Sequence, residues 1–424
     1  MRLTGAKVIG SLYLRSARLS NESGPALTAD GLTVETDAHL NDGFAAQGFG
    51  SAGTVRLTGA HIKGNLLLHS AALSNESGPA LTADGLTVET DTYLDEGFAA
   101  QGFGSAGTVR LDRAHIRGSL HLRHATLVNF EGPALTADGL AVTSDAFLKN
   151  GFTAIGSDPA GAVRLTRATI RGDLDLASVD FPEADSANNN PTIVLTGTAV
   201  ASSLRVSSHT LQKETLSGRW VVDDFTYRTL DTDPHEWLSF LRSGTLHYSP
   251  QPYQQFAAAA RARGDEQLTQ KILIAQHDHQ LARSRNEHGL LTSRQRTALQ
   301  VLRFTVGYGY RTWRAAWWLA LIVVISVGTA FAVGFEKTAV FRQPSGATAA
   351  NHGGPCHSVD LLTRGLEVIP LIPIATGSST SCAVADTSLG IAFMILTIGL
   401  KIVAWALVTL FVAGYTNIVR KPGN

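Results

Sequence analysis

Small or apolar residues alternate with polar ones along short segments in the first half of the chain. In residues 60–68 the small or apolar positions are Ala60, Ile62, Gly64, Leu66 and Leu68. A period of two is the pattern of a β-strand with one buried face. Gly, Asn and Asp interrupt these segments every few residues, so the pattern predicts short strands rather than helices.

The alternating pattern recurs with a period of 54 residues. The string Arg-Leu-x-x-Ala begins at residues 2, 56, 110 and 164, and residues 19–37 are repeated without change as residues 73–91. A fifth, degenerate copy begins at Leu195. Such repetition indicates a repeat architecture. We therefore predict a β-solenoid over residues 1–230, with roughly three short coils per repeat, stabilised by contacts between neighbouring coils.

The periodicity becomes helical in residues 234–304, which we predict to form a helical neck. Runs that favour helix cover residues 254–264, 265–287 and 293–304. In the second run, apolar and small residues recur every three or four positions, at Leu268, Ile272, Ala275, His279 and Ala282. This spacing is typical of a helix with one buried face.

Two long apolar segments predict membrane-spanning helices. Residues 315–335 carry no charge, and residues 389–414 carry one, Lys401. We therefore divide the rest of the chain into an elbow and first span (305–335), an extracytoplasmic loop (336–388), and a second span with a short tail (389–424). Residues expected to anchor the first span at the membrane surface are Arg311, Trp313, Arg314, Trp317 and Trp318.

The distribution of charge predicts which side of the membrane each part occupies. Formal net charge is zero, so no overall field points to nucleic acid. Residues 277–314 contain seven Arg against one Asp and one Glu, and Arg420 and Lys421 follow the second span. Because cytoplasmic flanks are rich in Arg and Lys, we expect both termini in the cytoplasm. No signal peptide precedes the first repeat, which agrees with a cytoplasmic solenoid.

The exported loop contains both cysteines of the chain, Cys356 and Cys382. Because disulfides persist in oxidising compartments, we predict that these two residues are bridged. The same loop contains an apolar piece at residues 366–375, too short to span, which we interpret as interfacial or re-entrant.

Three short strings resemble known sites, but their surroundings in the sequence favour simpler interpretations. The G-x-G-x-x-G strings at residues 48–53 and 102–107 are followed by a strand rather than a helix, so we interpret them as turns. The string at residues 305–309 spells a potassium-channel filter but precedes the first span, so we interpret it as an interfacial elbow. His277 and His279 flank Asp278 without further ligands, and we interpret them as part of a solvated helix face.

Lys401 is the one charge within the second span. A charged side chain at the centre of a bilayer costs at least about 2.5–3.5 kcal/mol. We therefore expect that Lys401 faces the interior of an oligomer or pairs with Glu367, or else that it snorkels to the membrane surface or lies shallower because the span is shifted. The sequence leaves these alternatives open.

Two resemblances add to this interpretation. Units such as residues 29–32 and 137–140 resemble a divergent pentapeptide-repeat solenoid, a right-handed β-helix, which implies a binding or scaffold surface. Residues 250–253, Gly264, residues 274–275 and residues 307–315 resemble a family of bacterial membrane-anchored repeat proteins. Its actinobacterial members are often labelled membrane-associated oxidoreductases, and the family implies the bacterial inner membrane.

From these patterns we predict a membrane-anchored solenoid with a cytoplasmic binding or scaffold surface for a protein partner. The expected partners are the lipid bilayer and a protein, but not nucleic acid. We predict no catalytic, cofactor-binding or metal site. The alternatives are an oxidoreductase, which only the family label implies, and a homo-oligomeric pore or sensor around Lys401.

Overall fold

The computed structural model describes residues 1–180, 190–217, 219–285, 290–311, 313–335, 341–342, 358–369, 383–384 and 388–415. The chain divides into two compact units, Met1–His279 and Gln280–Asn424.

The first unit is built mainly from strands of two to eight residues. The first sixteen are β1 (Lys7–Val8), β2 (Leu12–Tyr13), β3 (Arg18–Ser20), β4 (Leu27–Thr28), β5 (Thr33–Val34), β6 (Ala38–His39), β7 (Ala45–Gly48), β8 (Val55–Arg56), β9 (His61–Ile62), β10 (Leu66–Leu67), β11 (Ala72–Asn75), β12 (Leu81–Thr82), β13 (Thr87–Val88), β14 (Thr92–Tyr93), β15 (Ala99–Gly102) and β16 (Val109–Arg110). The next fourteen are β17 (His115–Ile116), β18 (Leu120–His121), β19 (Thr126–Asn129), β20 (Leu135–Thr136), β21 (Ala141–Val142), β22 (Ala146–Phe147), β23 (Thr153–Gly156), β24 (Val163–Arg164), β25 (Thr169–Ile170), β26 (Leu174–Leu176), β27 (Ile193–Val194), β28 (Ala199–Val206), β29 (Trp220–Val221) and β30 (Thr226–Asp231).

These strands form the four sides of a β-solenoid in which all pairing is parallel. Side 1 is β4-β8-β12-β16-β20-β24-β27-β29, side 2 is β1-β5-β9-β13-β17-β21-β25-β28, side 3 is β2-β6-β10-β14-β18-β22-β26-β28, and side 4 is β3-β7-β11-β15-β19-β23. The long strand β28 pairs with both β25 and β26, which joins sides 2 and 3 at one end of the solenoid. The predicted β-solenoid is confirmed, with about eight coils counted along side 1.

Each 54-residue repeat contains two coils, so the prediction of three was wrong. Val55 pairs with Leu27 in the preceding coil and with Leu81 in the following one, and Leu81 pairs with Val109. Coils of 28 and 26 residues therefore alternate. The alternating pattern revealed the strands, but it did not reveal that four of them close one coil.

The core consists of inward-facing side chains that stack in columns along the solenoid. Val34, Ile62, Val88 and Ile116 succeed one another on side 2 and are at most 1% exposed. Each fully buried aliphatic side chain contributes about 1.5–3 kcal/mol to the free energy of unfolding. Because each such side chain lies between its neighbours in adjacent coils, stability comes from stacking rather than from any single coil.

At the corner between sides 2 and 3, every second coil requires glycine. A Cβ atom on Gly64 or Gly118 would lie 2.6 or 2.5 Å from the carbonyl carbon of the preceding coil's threonine. The residue after each glycine donates its backbone N–H to an aspartate of the preceding coil, as Ser119 does to Asp91 Oδ1 at 2.6 Å. Glycine therefore lets these coils lie closer to the preceding coil than a Cβ atom would allow, whereas Thr36 and Thr90 occupy the equivalent position in the alternate coils.

Four helices complete the first unit or lead out of it. They are α1 (Ser208–Ser217), α2 (Pro234–Ser243), α3 (Gln251–Ala262) and α4 (Glu266–Arg283). Trp220, Trp237 and Phe240 are buried, with Phe240 centred 5.0 Å from Trp220 and 5.1 Å from Trp237. This aromatic cluster covers the end of the core, as a terminal cap of a solenoid must. The sequence predicted α3 and α4 but not α1 or α2.

The second unit contains the remaining described elements. These are α5 (Ser293–Thr305), α6 (Trp313–Phe335), β31 (Phe341–Arg342), α7 (Ser358–Leu366), β32 (Ala383–Val384) and α8 (Ser388–Tyr415). A small buried cluster of Ile322, Val368, Ala404 and Leu407 packs α6 and α8 against the end of α7. Leu366 ends α7, and residues 370–375 of the predicted re-entrant piece lie outside the described residues.

Helices α6 and α8 are the two candidate membrane spans. The segments Trp313–Val333 and Ser388–Ala413 are long and apolar enough to cross a membrane. Only 17% of the most apolar part of each is buried within the fold, whereas the core helix of a soluble protein would be mostly buried. Both spans were predicted from the sequence.

Deletions that respect the two-coil repeat should be tolerated. Removing residues 56–109 deletes two whole coils and joins Val55 to Arg110, which occupies the position of Arg56. We expect this variant to retain a cooperative, β-rich fold by circular dichroism. Removing residues 56–73, one third of a repeat, should unfold the protein. The deletion breaks the register between coils, so that side chains of the buried columns become exposed. Equal tolerance of both deletions would contradict the two-coil repeat.

Candidate binding site

A shallow trough of about 530 Å³ runs along side 4 of the solenoid. Strand alternation points every second residue of this side outward. The first outward positions in five successive coils are Arg18, Ala45, Ala72, Ala99 and Thr126. The second outward positions are Ser20, Gln47, Ser74, Gln101 and Val128. A floor made mostly of small side chains lets the backbone of a partner approach closely.

The turns that follow side 4, beyond the trough's lining, carry acidic and aromatic residues. The positions two residues beyond the second outward column are Glu22, Phe49, Glu76, Phe103 and Phe130. Phe49 is 44% exposed and Phe130 is 59% exposed, which is unusual for phenylalanine on a monomeric surface. The rings of Phe103 and Phe130 lie 6.2 Å apart.

The opposite edge of the trough is also acidic. Asp42 and Glu96 are exposed at the corners that lead from side 3 into side 4, where their φ angles are +52° and +48°. Together with Glu22 and Glu76 they make the surroundings of the trough acidic, although Asp42 is paired with Arg15 at 3.7 Å and Arg18 adds a positive charge at the same end. The site therefore favours a basic ligand that also offers apolar surface.

Aromatic rings stack along the neighbouring side 3. The ring centres of Tyr13 and His39 lie 4.7 Å apart, those of Tyr93 and His121 lie 4.5 Å apart, and those of His121 and Phe147 lie 5.1 Å apart. These distances match the spacing of paired strands, so each ring lies over the next coil's ring. Such pairs contribute about 0.5–1.5 kcal/mol each beyond the burial of area.

The two histidines in this ladder are held in their neutral form. Burial, and after it the charge of Arg123, lowers the pKa of His121 below its usual value of 6.5. Burial and then Arg15 lower the pKa of His39 in the same way. Neutral rings stack without the cost of desolvating a charge.

Two carboxylates are buried beside the ladder, and both have partners. Asp95 is 1% exposed and accepts from Arg123 at 3.1 Å, with the His69 ring at 3.3 Å. The carboxylate of Asp175, also 1% exposed, lies 2.7 Å from Lys149 Nζ and 3.1 Å from Arg205 Nη1. Because removing either partner would leave a buried charge uncompensated, these pairs support the fold.

The glycine-rich strings are turns, as predicted. In residues 48–53, Gly50 and Gly53 have φ angles of +91° and +102°, and strand β8 follows directly. The string at residues 305–309 forms an elbow between α5 and α6, with φ angles of +54°, +58° and +84° at Gly307, Tyr308 and Gly309.

The interpretation of His277 and His279 as a solvated face was wrong for His279. Its side chain is buried, and its Nδ1 lies 2.7 Å from the hydroxyl oxygen of Tyr253. His279 belongs to the buried stripe of α4 with Ile272 and Ala275. Within the described ranges, no group of three His, Cys, Asp or Glu residues could hold a metal ion.

The residues predicted to act in the membrane lie on the second unit. Trp313, Trp317 and Trp318 are exposed at the beginning of α6, 60%, 68% and 42% respectively, and Arg311 is exposed in the preceding elbow. The side chain of Arg314, in the first turn of α6, is partly exposed. Their anchoring role stays a prediction.

Lys401, Glu367 and the two cysteines complete the set of predicted residues. Lys401 is exposed on α8, and Glu367 is partly buried just after α7. The pairing of Lys401 with Glu367 stays a prediction. Cys356 and Cys382 lie outside the described residues, so the disulfide also stays a prediction.

Sequence reasoning missed the trough and the ring ladder. The ring ladder consists of residues that repeat every 26 or 28 positions, such as Tyr93 and His121, and the outward positions of the trough repeat every 27. Aligning the sequence at the length of one coil, rather than at 54 residues, would have revealed these columns.

Comparison of the chain with protein-family models, curated proteins and solved structures finds no match. Both resemblances described from the sequence therefore remain expectations, and the function must be argued from the surfaces themselves.

The buried histidines predict that stability falls at acidic pH. Because the pKa of His121 is lower in the folded state, the unfolded state binds its proton more readily. The stabilisation is complete above the unfolded pKa of about 6.5 and is lost as pH falls below it. Thermal unfolding of the full chain in detergent should show this decline between about pH 7.5 and pH 5.

The variant His121→Phe should weaken that dependence, because a phenyl ring continues the stack onto Phe147 without titrating. The matched control is His115→Phe, since His115 is exposed on side 2. An unchanged pH dependence in His121→Phe would contradict this origin of the acid sensitivity.

Replacing Lys401 should favour insertion of α8. Removing a charge from the middle of a span relieves a cost of about 2.5–3.5 kcal/mol, so Lys401→Leu should insert more efficiently in a translocation assay. The neighbouring substitution Ile402→Leu serves as the control. If Lys401 faces an oligomer interior, the variant should also change the mass of the detergent-solubilised assembly. An unchanged mass would contradict the oligomer interior, and an unchanged phenotype as well would leave only snorkelling.

Proposed function

We propose that this protein is a membrane-anchored scaffold whose solenoid binds a basic, extended segment of a partner protein in the trough on side 4. Its solenoid and its two exposed apolar helices together fit a membrane-anchored scaffold. The observation that carries the binding role is the trough, whose floor is small and whose edges combine carboxylates with exposed phenylalanines.

The shape of the trough limits the ligand. Five strands about 4.8 Å apart give it a length of about 20 Å. An extended chain advances about 3.3 Å per residue, so roughly six residues would cover it. Side chains of Lys or Arg can meet Glu22, Glu76 and Glu96, and the faces of Phe49 and Phe103 suit the same cations.

We place the solenoid and both termini in the cytoplasm of a bacterium, with α6 and α8 in the inner membrane. The excess of Arg in residues 277–314, together with Arg420 and Lys421, supports this orientation. A scaffold of this kind would hold a soluble partner close to the membrane and thereby raise its local concentration.

A homo-oligomeric pore or sensor is the second candidate. It is supported by Lys401, a charge exposed on an otherwise apolar face of α8. Self-association would shelter this charge from lipid. The oxidoreductase activity implied by the family label stays a prediction, which absorbance of a bound flavin or haem in the purified protein would test.

Filling the trough should abolish ligand binding without unfolding the protein. The probe is a fluorescent peptide of about eight residues in which Lys and Val alternate, added to the full chain in nanodiscs. We expect Ala99→Trp to weaken binding of this peptide at least about tenfold, or about 1.4 kcal/mol. The control, Ala141→Trp, places the same ring on side 2, where His115 already occupies the neighbouring position.

The salt dependence of peptide binding measures the contribution of the carboxylates. Binding of the Lys-Val peptide should weaken as salt rises, and the double variant Glu22→Gln/Glu76→Gln should reduce that salt dependence. Equal binding by both tryptophan variants, or equal binding of a Glu-Val peptide, would contradict the trough as the site. Failure of the full chain to enter nanodiscs would instead contradict the membrane anchor.

A further inference from the structure

A cavity of about 770 Å³ lies within the second unit, lined by the end of α4 and by helices α5, α6 and α8. Its walls are mainly apolar and include Leu321 and Ile325 of α6 and Val403 of α8. Its polar lining includes two arginines, Arg285 and Arg303. Among the residues that line the cavity, none is acidic.

The arginines lie where the membrane surface would be. Arg303 is on α5, an amphipathic helix whose Val301 and Phe304 are 51% and 71% exposed. The indole N–H of Trp318 donates to the backbone carbonyl oxygen of Phe304 at 3.3 Å, which ties α5 to the first turns of α6. Tryptophan is typical of the boundary between lipid chains and headgroups, and amphipathic helices with exposed apolar residues lie in that boundary.

We propose that this cavity binds one anionic phospholipid. Arg285 and Arg303 would hold the headgroup phosphate, because guanidinium groups match phosphate oxygens in charge and geometry. One acyl chain would lie along Leu321, Ile325 and Val403. A cationic entrance joined to an apolar wall fits a lipid better than it fits a free phosphate, which would leave that wall exposed.

The site depends on α6 and α8 crossing the bilayer, as the proposed function states. It adds a specific role for the lipid, which would fill the space between α5 and the two spans. In that role the lipid is a structural ligand rather than bulk solvent. The two arginines would select it by the negative charge of its headgroup.

Native mass spectrometry of the full chain tests the site directly. The chain is released from nanodiscs of phosphatidylcholine and phosphatidylglycerol, and we expect it to retain one phosphatidylglycerol. The double variant Arg285→Gln/Arg303→Gln should lower that retention about tenfold or more, since each Arg near a membrane surface attracts anionic lipid appreciably. The matched control is Arg261→Gln/Arg294→Gln, which removes two exposed charges that do not line the cavity.

A second pair of variants tests the apolar wall with all charges in place. Val403→Trp fills the cavity and should reduce retention, whereas Ile402→Trp, at a residue 65% exposed and outside the lining, should not. Equal retention of both lipids by the natural protein would overturn the site, as would equal loss in both double variants. A chain that does not enter nanodiscs would contradict the membrane spans themselves.

Discussion

Parallel hydrogen bonding between successive coils places each residue directly beside its equivalent, about 4.8 Å away. A repeat of a single coil would therefore set every charge against an identical charge, which destabilises a sheet. The two-coil repeat removes this conflict in several columns, although Asp84 and Asp112 still adjoin, and burial and then the smaller effect of Asp112 raise the pKa of Asp84. On side 1, Thr and Arg alternate at Thr28, Arg56, Thr82, Arg110, Thr136 and Arg164. On side 2, Glu35 lies between Lys7 and Lys63, and it binds both.

The same constraint shapes the core. Consecutive coils place Phe44, Ala71, Phe98, Ala125 and Phe152 at one inward position, and all five are fully buried. A phenyl ring needs more volume than one layer of the solenoid provides, and the alanine in the next coil supplies it. Alternating large and small residues let successive layers interdigitate. The 54-residue period thus suits both charge and packing.

Sequence patterns predicted the strands and helices better than the way in which the strands close into coils. Period-two alternation identified the strands, and the bounds of α3, α4 and α5 follow from helical periodicity in a segment with clear breaks. The coil length could not be derived, because alternation says which face of a strand is buried and nothing of how many strands close a ring. His279 shows a second limit. The polar residues beside His279 suggested a solvated face. Its helical spacing from Ile272 and Ala275 instead indicated burial, and His279 is buried.

The candidate surfaces were the least predictable part. The trough on side 4 is made of Ala, Ser, Gln and Thr, residue types that carry no chemical signature in a sequence. Only stacking brings them side by side, and only the long corners beyond them place Phe49 and Phe103 along an edge. Similarly, Arg285 and Arg303 belong to different helices, so their shared cavity depends on tertiary packing.

The exact repetition of residues 19–37 as residues 73–91 has a further consequence for the trough. Duplication or loss of one repeat in the gene would lengthen or shorten the trough by two strand spacings, about 9–10 Å, while leaving its chemistry unchanged. If the trough binds a segment as proposed, the solenoid acts as a molecular ruler. The length of segment that it recognises would be set by the number of repeats, and related chains could diverge in partner by copy number alone.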